Sequence, residues 1–422
     1  MRSCYVLQNV KEELEAIAEW CSSMKSQLEN LDVLKQIFRQ NLPLALDLKK
    51  TIWKYANTIK EREKCDSIKI MNFCGTHEWT TTYYGLRNLL PPFLDLIAWP
   101  GCPVCVTPAY YVDVVMKLAS KGVRIYTYGD SLRLRSVRSS YPSNLEEARA
   151  NGGDVKVVYS FLDAAKDSAD GKESVFLGIG FETTAPSYAL VIKEGMVPEN
   201  LKFLSTVRLT PPAMEYTIKF YQERGLLPIK GVIAPGHVST ITGAVEWEFL
   251  PREHGLPTVV AGFEPIDVLM AVAQILLMLK NNKAAIKIEY KRLVNWNGNT
   301  YAKGLIEKVF KKTRAAWRGI GFIPQSGLKL KGKFFKKYDA LAHFGMPDLT
   351  PKEWEHDLPH KCRCGEVVVG IAKPTDCPLF IKGCSPAKPW GPCMVSSEGT
   401  CNVWARYGGR SSVLPEGRAG GN

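Results

Sequence analysis

The sequence predicts an α/β protein: two similar parallel-sheet α/β domains around a cleft, followed by a separate cysteine-rich segment. Three observations predict this. Apolar β-type runs recur at a near-constant spacing, helix-like segments fill most gaps between them, and six of the twelve cysteines crowd into residues 362–401. At 422 residues the chain is too long for one ordinary core, and two or three domains are expected.

Residues 10–62 read as helical, with apolar positions recurring at three and four, no glycine, and Pro43 dividing the run. Residues 1–66 are therefore expected to form an N-terminal helical segment. The β-type runs then centre on Ile70, Ile97, Ile125, Val157, Leu177, Leu204, Val232 and Val260. Helix-like stretches lie between them, as at 107–119 and 211–223. Parallel strands need such crossovers. Two sets of four, with a break near Asn151-Gly152-Gly153, predict one α/β domain over 67–152 and a second over 153–280. Several strand ends carry short polar motifs: CGTHE, PGCPVC, GDS, GFETTAP, APGHVST and GFEPID. Ligands of open α/β sheets sit at the carboxyl ends of strands, so these motifs are expected around one cleft.

From 281 the rhythm is lost. Residues 281–408 are expected to hold a basic helical segment and then the cysteine-rich domain, with 409–422 disordered. The net charge is +13, and 280–340 holds sixteen Lys or Arg against three acids. No nucleic-acid-binding signature accompanies that charge, so a solvated helical face, including AKGLIEKVFKKTRAAWRG, is expected there. No apolar run reaches the roughly 20 residues of a membrane span, and the first residues lack a signal-peptide core. A reducing, cytoplasmic compartment is expected, in which clustered cysteines favour metal or redox chemistry over structural disulfides.

The tail cysteines Cys362, Cys364, Cys377, Cys384, Cys393 and Cys401 are separated by one, twelve, six, eight and seven residues. Zinc sites usually show paired C-x2-C knuckles, absent among these six. Wide, irregular spacing suits an iron–sulfur cluster held by four thiolates, leaving two cysteines as a redox pair. A zinc-stabilised or disulfide-stapled tail is the alternative. Cys102 and Cys105 have the C-x-x-C spacing of redox dithiols. A helix expected to start near Thr107 should make at least one of them acidic, in a loop that carries little of the core. Cys74, His77 and Glu78 share one strand-end turn, where thiolate and imidazole can ligate iron, or act as nucleophile and base, and a carboxylate can orient or deprotonate. Weaker candidates are Gly180, Glu182, Thr183 and Thr184; Gly236, His237 and Ser239; and Glu264 and Asp267. His254, His343, His356 and His360 read as structural.

The motifs NFCGTHE, PGCPVCVTP, GIGFETTAP, APGHVSTITG, GFEPID, FIPQSGL and the tail CRCGEVVVGIAKPTDCPLF…GPCMVSSEGTC, in order over about residues 32–408, closely resemble the hydrogenase maturation factor family HypD. The first thirty residues look like an extension. The resemblance implies two α/β domains with a [4Fe–4S] domain, and a scaffold for the Fe(CN)2CO group of [NiFe] hydrogenases, working with a HypC-like chaperone and a HypE-like cyanide donor. It implies Cys74 as iron ligand beside His77 and Glu78, Cys102 and Cys105 as the redox pair, and Cys362, Cys377, Cys384 and Cys401 as cluster ligands. Cys364 and Cys393 are then a possible second pair. The chain has no GxxxxGK[ST] loop, so an ATP-driven step would belong to a partner. The competing class is a stand-alone, cluster-coupled thiol oxidoreductase resembling ferredoxin:thioredoxin reductase in chemistry; a third is a zinc-stabilised interaction protein.

Overall fold

The computed structural model describes residues 41–99, 101–137, 142–354 and 357–408. The helix expected before residue 41, Cys4, Cys21, His356 and the tail 409–422 lie outside the described residues. All eight expected strands form: β1 (Ile68–Asn72), β2 (Leu94–Ala98), β3 (Arg124–Thr127), β4 (Val155–Val157), β5 (Ser174–Gly180), β6 (Leu201–Val207), β7 (Ile229–Pro235) and β8 (Thr258–Ala261). Three follow where no rhythm was legible: β9 (Ile286–Ile288), β10 (Phe310–Trp317) and β11 (Gly321–Leu330).

The strands make two parallel sheets, but not as two consecutive sets of four. One sheet runs β2-β1-β7-β8-β9 and the other β4-β3-β5-β6. The expected break at 151–153 separates β3 from β4, yet Ile125 pairs with Val155 and Thr127 with Val157. The chain lays down β1 and β2, leaves to build the whole second sheet, and returns with β7 against β1, Met71 opposite Val232. Every βα unit has the same local pattern, so its periodicity cannot say which sheet receives it.

The outer face of the first sheet is covered by two helices. Leu42–Glu63 starts at Asn41, whose side chain accepts from Leu44 N at 3.1 Å, with Pro43 in the first turn, where a missing N–H costs nothing. Ile52, Ala56 and Ile59 recur at helical spacing and pack with Leu269, Val272 and Leu276 of the helix Pro265–Lys280. Arg62 closes that neighbour, donating to the carbonyls of Lys280 at 2.7 Å and Leu279 at 3.0 Å.

The segment 310–317, expected as part of a solvated helix, is a strand. The helix stops at Val309, and β10 pairs antiparallel with β11. Lys311, Lys312 and Arg314 remain exposed, while Phe310, Leu328 and Leu330 join the core of the second sheet. Trp317 and Ile323 join that of the first. Tertiary burial thus overrides a helix-like local pattern, because this hairpin fills the seam between the two sheets.

In that seam Phe73 stacks on Trp99 at 3.6 Å, and Trp99 Nε1 donates to Thr217 Oγ1 at 2.6 Å. Thr217 is fully buried in the helix Thr210–Glu223. Thr217→Val keeps the shape but orphans the indole N–H, and should cost about 1–3 kcal/mol. A lower urea midpoint at unchanged slope would show this; an unchanged midpoint would refute it.

Candidate functional site

Three separate stretches of chain converge at the carboxyl end of β1. Cys74 is the N-cap of the helix Gly75–Tyr83 and is buried. The amides of Thr76 and His77 and the Thr76 hydroxyl favour its charged form. A Cβ on Gly101, in the C-x-x-C loop, would overlap the backbone of Cys74 and Gly75. A Cβ on Gly75 would lie 2.6 Å from the carbonyl oxygen of Glu398, in the tail. A Cβ on Gly399 would meet Cys105 Sγ at 3.0 Å and overlap the carbonyl of Cys393. The tail segment 396–399 therefore lies against Cys74 on one side and the Cys102–Cys105 pair on the other, and only glycine fits at the contacts.

Burial, followed by the nearby Glu398 carboxylate, pushes the Cys74 thiol up to about 11, against the lowering effect of the helix amides. Glu398 itself is raised by burial and by Asp130, while the Thr76 hydroxyl favours its charged form. Ser396 donates to Asp130 at 3.3 Å, bringing the GDS turn to the same place. Glu398 was not singled out in the sequence, where the pattern SSEGTC beside the last tail cysteine was its one signal; Thr76 and Asp130 lay inside the CGTHE and GDS motifs without a role of their own.

His77 is fully buried, and burial lowers its pKa to about 4. It is neutral, and both neighbours of Nε2 are carbonyls, Gly262 at 2.7 Å and Ala261 at 3.3 Å, so Nε2 carries the proton. Nδ1 is left with a free lone pair and no partner among the described residues. Phe263 of GFEPID lies between two imidazoles, His77 at 4.7 Å and His237 of APGHVST at 3.7 Å. Glu78 does not face the thiol chemistry. It accepts from Arg87 at 2.8 Å and from Trp404 at 2.7 Å, tying its helix to the tail helix Thr400–Tyr407.

The C-x-x-C pair is bonded, Cys102 to Cys105, and both residues are 1% exposed. One expectation is corrected here. The loop is part of the core, packed with Val112, Val115 and the tail, and not a dispensable strand-end turn. The following helix begins close to the expected place, at Ala109, but the amide of Ala109 donates to Asp357 Oδ1 at 2.8 Å. A helix also starts at Cys74 itself.

In the tail, Cys362, Cys364, Cys377, Cys384, Cys393 and Cys401 all line one small cavity with Leu379, Phe380 and Met394. Cys384 Sγ accepts from the amides of Trp390 at 3.2 Å and Gly391 at 3.4 Å. All six cysteines line the same cavity, so the structure does not sort them into four and two. No three His, Cys, Asp or Glu side chains among the described residues form a group able to hold a metal ion. A cubane takes thiolates at four separate corners instead of around a single ion, and an apolar cavity ringed by six thiols suits that donor set.

The remaining motifs are structural or lie elsewhere. Glu182 is buried, accepts from Thr210 N at 2.6 Å, and lines a second cavity with Glu215 and Glu246; burial raises its pKa to about 7. Thr184 Oγ1 donates to the Phe181 carbonyl at 3.0 Å, and Thr183 is exposed. Gly180 lies close against the Thr184 side chain. Ser239 accepts from Trp247 at 2.9 Å, and Gly236 fits beneath Tyr290 and Phe263. Asp267 caps the turn at Glu264 and pairs with Arg292 at 2.6 Å. His343 pairs with Glu173 at the surface, His254 packs on Phe249, and His360 is exposed.

Removing the charge beside Cys74 should make its thiol more acidic. Glu398→Gln should speed alkylation of Cys74 at pH 8, since the thiolate is the nucleophile. Mass-spectrometric labelling rates check this, and an unchanged or slower rate would contradict the electrostatic coupling.

Comparison with known proteins places this geometry. The family model described as "HypD: Hydrogenase formation hypA family" matches residues 50–408. A putative hydrogenase expression/formation protein of Methanocaldococcus jannaschii is 40% identical over 82% of this chain and 94% of its own length. The hydrogenase maturation factor HypD2 of Bradyrhizobium diazoefficiens is 39% identical over 81% of this chain and 89% of its own. HypD of Cupriavidus necator is 38% identical over 80% and 89%.

Proposed function

The chain belongs to the HypD family of hydrogenase maturation factors, and from that premise we propose that it is the scaffold on which the Fe(CN)2CO group of a [NiFe] hydrogenase is assembled. One observation supports this most: the segment 396–399 lies against Gly75, next to Cys74, and against Cys105 of the bonded pair, and is flanked by Cys393 and Cys401. A cargo-binding thiol, a dithiol and a multi-thiol cavity thus form one continuous site.

In this reading Cys74 binds the iron cargo. Low-spin iron carrying cyanide and carbonyl is soft and suits a thiolate. The thiol must lose its proton on binding. The Thr76 and His77 amides stabilise the sulfur's charge, and Glu398 is the nearby carboxylate able to take the proton. His77 stays neutral. Glu78 positions the Cys74 helix against the tail through Arg87 and Trp404 instead of acting as a base. Reducing the Cys102–Cys105 bond takes two electrons and two protons and returns two thiols, so the pair stores reducing equivalents next to Cys74. Cys362, Cys377, Cys384 and Cys401 would hold a [4Fe–4S] cluster, with Cys364 and Cys393 as the second pair; when bound, it supplies single electrons. A HypC-like chaperone and a HypE-like cyanide donor are the proposed partners, in the reducing cytoplasm. Among the described residues no helix is long and apolar enough to cross a membrane.

Anaerobically purified protein should carry about four irons per chain with matching acid-labile sulfide. Cys377→Ala or Cys401→Ala should lose both. Full iron in these variants would remove the ligand assignment.

Cys74→Ala should keep the tail iron yet lose the infrared bands of bound cyanide and carbonyl in complex with a HypC-like partner. Persistence of those bands would rule out Cys74 as the ligand. A wild-type protein with cluster and dithiol but no such bands would instead be a stand-alone thiol oxidoreductase.

A further inference from the structure

The turn between β10 and β11 carries Arg318, one of the largest fully buried side chains described, at 0% exposure. Its guanidinium donates from Nε to the Asp357 carbonyl at 2.9 Å and from Nη2 to the Arg135 carbonyl at 3.0 Å. Nη1 is buried with no partner among the described residues. No carboxylate among those residues makes an ion pair with it. The nearest relevant anion, Asp357, spends its oxygens on the amides of Ala109 at 2.8 Å and Gly319 at 3.2 Å. A buried charge lacking an ion-pair partner is costly, and a fold that keeps one usually sets it against an opposite charge.

The surroundings of Arg318 indicate what that charge is. Its own amide donates to Val106, the residue after Cys105, at 2.8 Å. The next residue, Gly319, has φ of +74°, and a Cβ there would lie 2.8 Å from the Cα of Gly365, the residue after Cys364. Arg318 thus stands where the dithiol loop meets the wall of the six-cysteine cavity. Arg135, whose carbonyl it holds, places its own guanidinium 4.5 Å from the Trp390 ring, and Trp390 N donates to Cys384 Sγ. Thiolates bound to an iron–sulfur centre give the assembly a net negative charge that grows with each electron added.

We propose that Arg318 is the built-in counter-cation of the tail centre and sets its reduction potential. The inference rests on the reading that the tail holds a cluster. A fixed buried cation favours the more negative, reduced state, and the low-dielectric surroundings preserve its influence. Arg318 is a positioning and tuning residue; it need not touch cargo.

The test is dye-mediated potentiometry followed by electron paramagnetic resonance on the anaerobic full chain, after iron and sulfide analysis. Arg318→Lys should keep the wild-type midpoint; Arg318→Gln, at equal iron, should shift it negative. Should Arg318→Gln fail to fold or to load, Asp357→Asn supplies the opposite sign: removing a nearby anion should shift the midpoint positive. Equal midpoints in wild type, Arg318→Gln and Asp357→Asn at full iron would overturn the proposal, as would a shift in Arg318→Lys matching that in Arg318→Gln, which would mark a packing effect. A failed Arg318→Gln together with an unmoved Asp357→Asn would overturn it as well. A wild-type chain without iron or sulfide would instead defeat the cluster reading and this inference with it.

Discussion

Backbone contact at three glycines holds the site together. Gly101 lies on Cys74 and Gly75, Gly75 lies under Glu398, and Gly399 lies on Cys105 and Cys393. A side chain at any of them would force apart segments that come from the first sheet, the excursion toward the second, and the tail. Because close-packed interiors absorb little displacement, that separation would travel to the sulfur atoms. The rest of the site depends on this approach: the burial that raises the Cys74 thiol, the position of Glu398 beside it, and the contact of the dithiol with the tail.

The architecture explains why so many elements meet there. With β7 returning to β1, the carboxyl end of β1 lies beside that of β7, and the loops after both strands can share one place. His77 follows β1, His237 follows β7 and Phe263 follows β8, and the three rings stack in that order: imidazole, phenyl, imidazole. The hairpin β10–β11 joins the cores of both sheets, and its turn delivers Arg318 to the dithiol loop and the cysteine cavity. Rigid sheets thereby carry the thiols, and loops alone would not hold them so closely.

Electrostatics divides the site into two halves of opposite character. Around Cys74, burial first and then the Glu398 carboxylate raise the thiol, and Asp130 in turn raises Glu398. Around the tail lie arginines: Arg133 donates to the carbonyls of Pro386 and Ala387, Arg135 stacks on Trp390, and Arg318 is buried with its amide on the Val106 carbonyl. An anionic pocket suits incoming iron, and a cationic shell suits a thiolate-rich centre.

The strands, the motif cysteines and the α/β class were legible in the sequence because they depend on short-range pattern. Apolar period marks each βα unit, and thiol spacing marks each motif, whatever the distant surroundings. Which sheet receives each strand was not legible, since identical local units pair through crossovers whose destination depends on the whole core. The strand at 310–317 was hidden for the same reason: its partner and its burial lie beyond any local window. The C-x-x-C pair was recognised, but its burial came from packing against the helix after it and the distant tail. Glu78 was picked out as a carboxylate that could orient or deprotonate, yet only packing showed that Arg87 and Trp404 occupy it. Glu398 and Arg318 take their meaning wholly from what folding brings beside them: a charge acts through distance and dielectric, and the tertiary structure alone sets both.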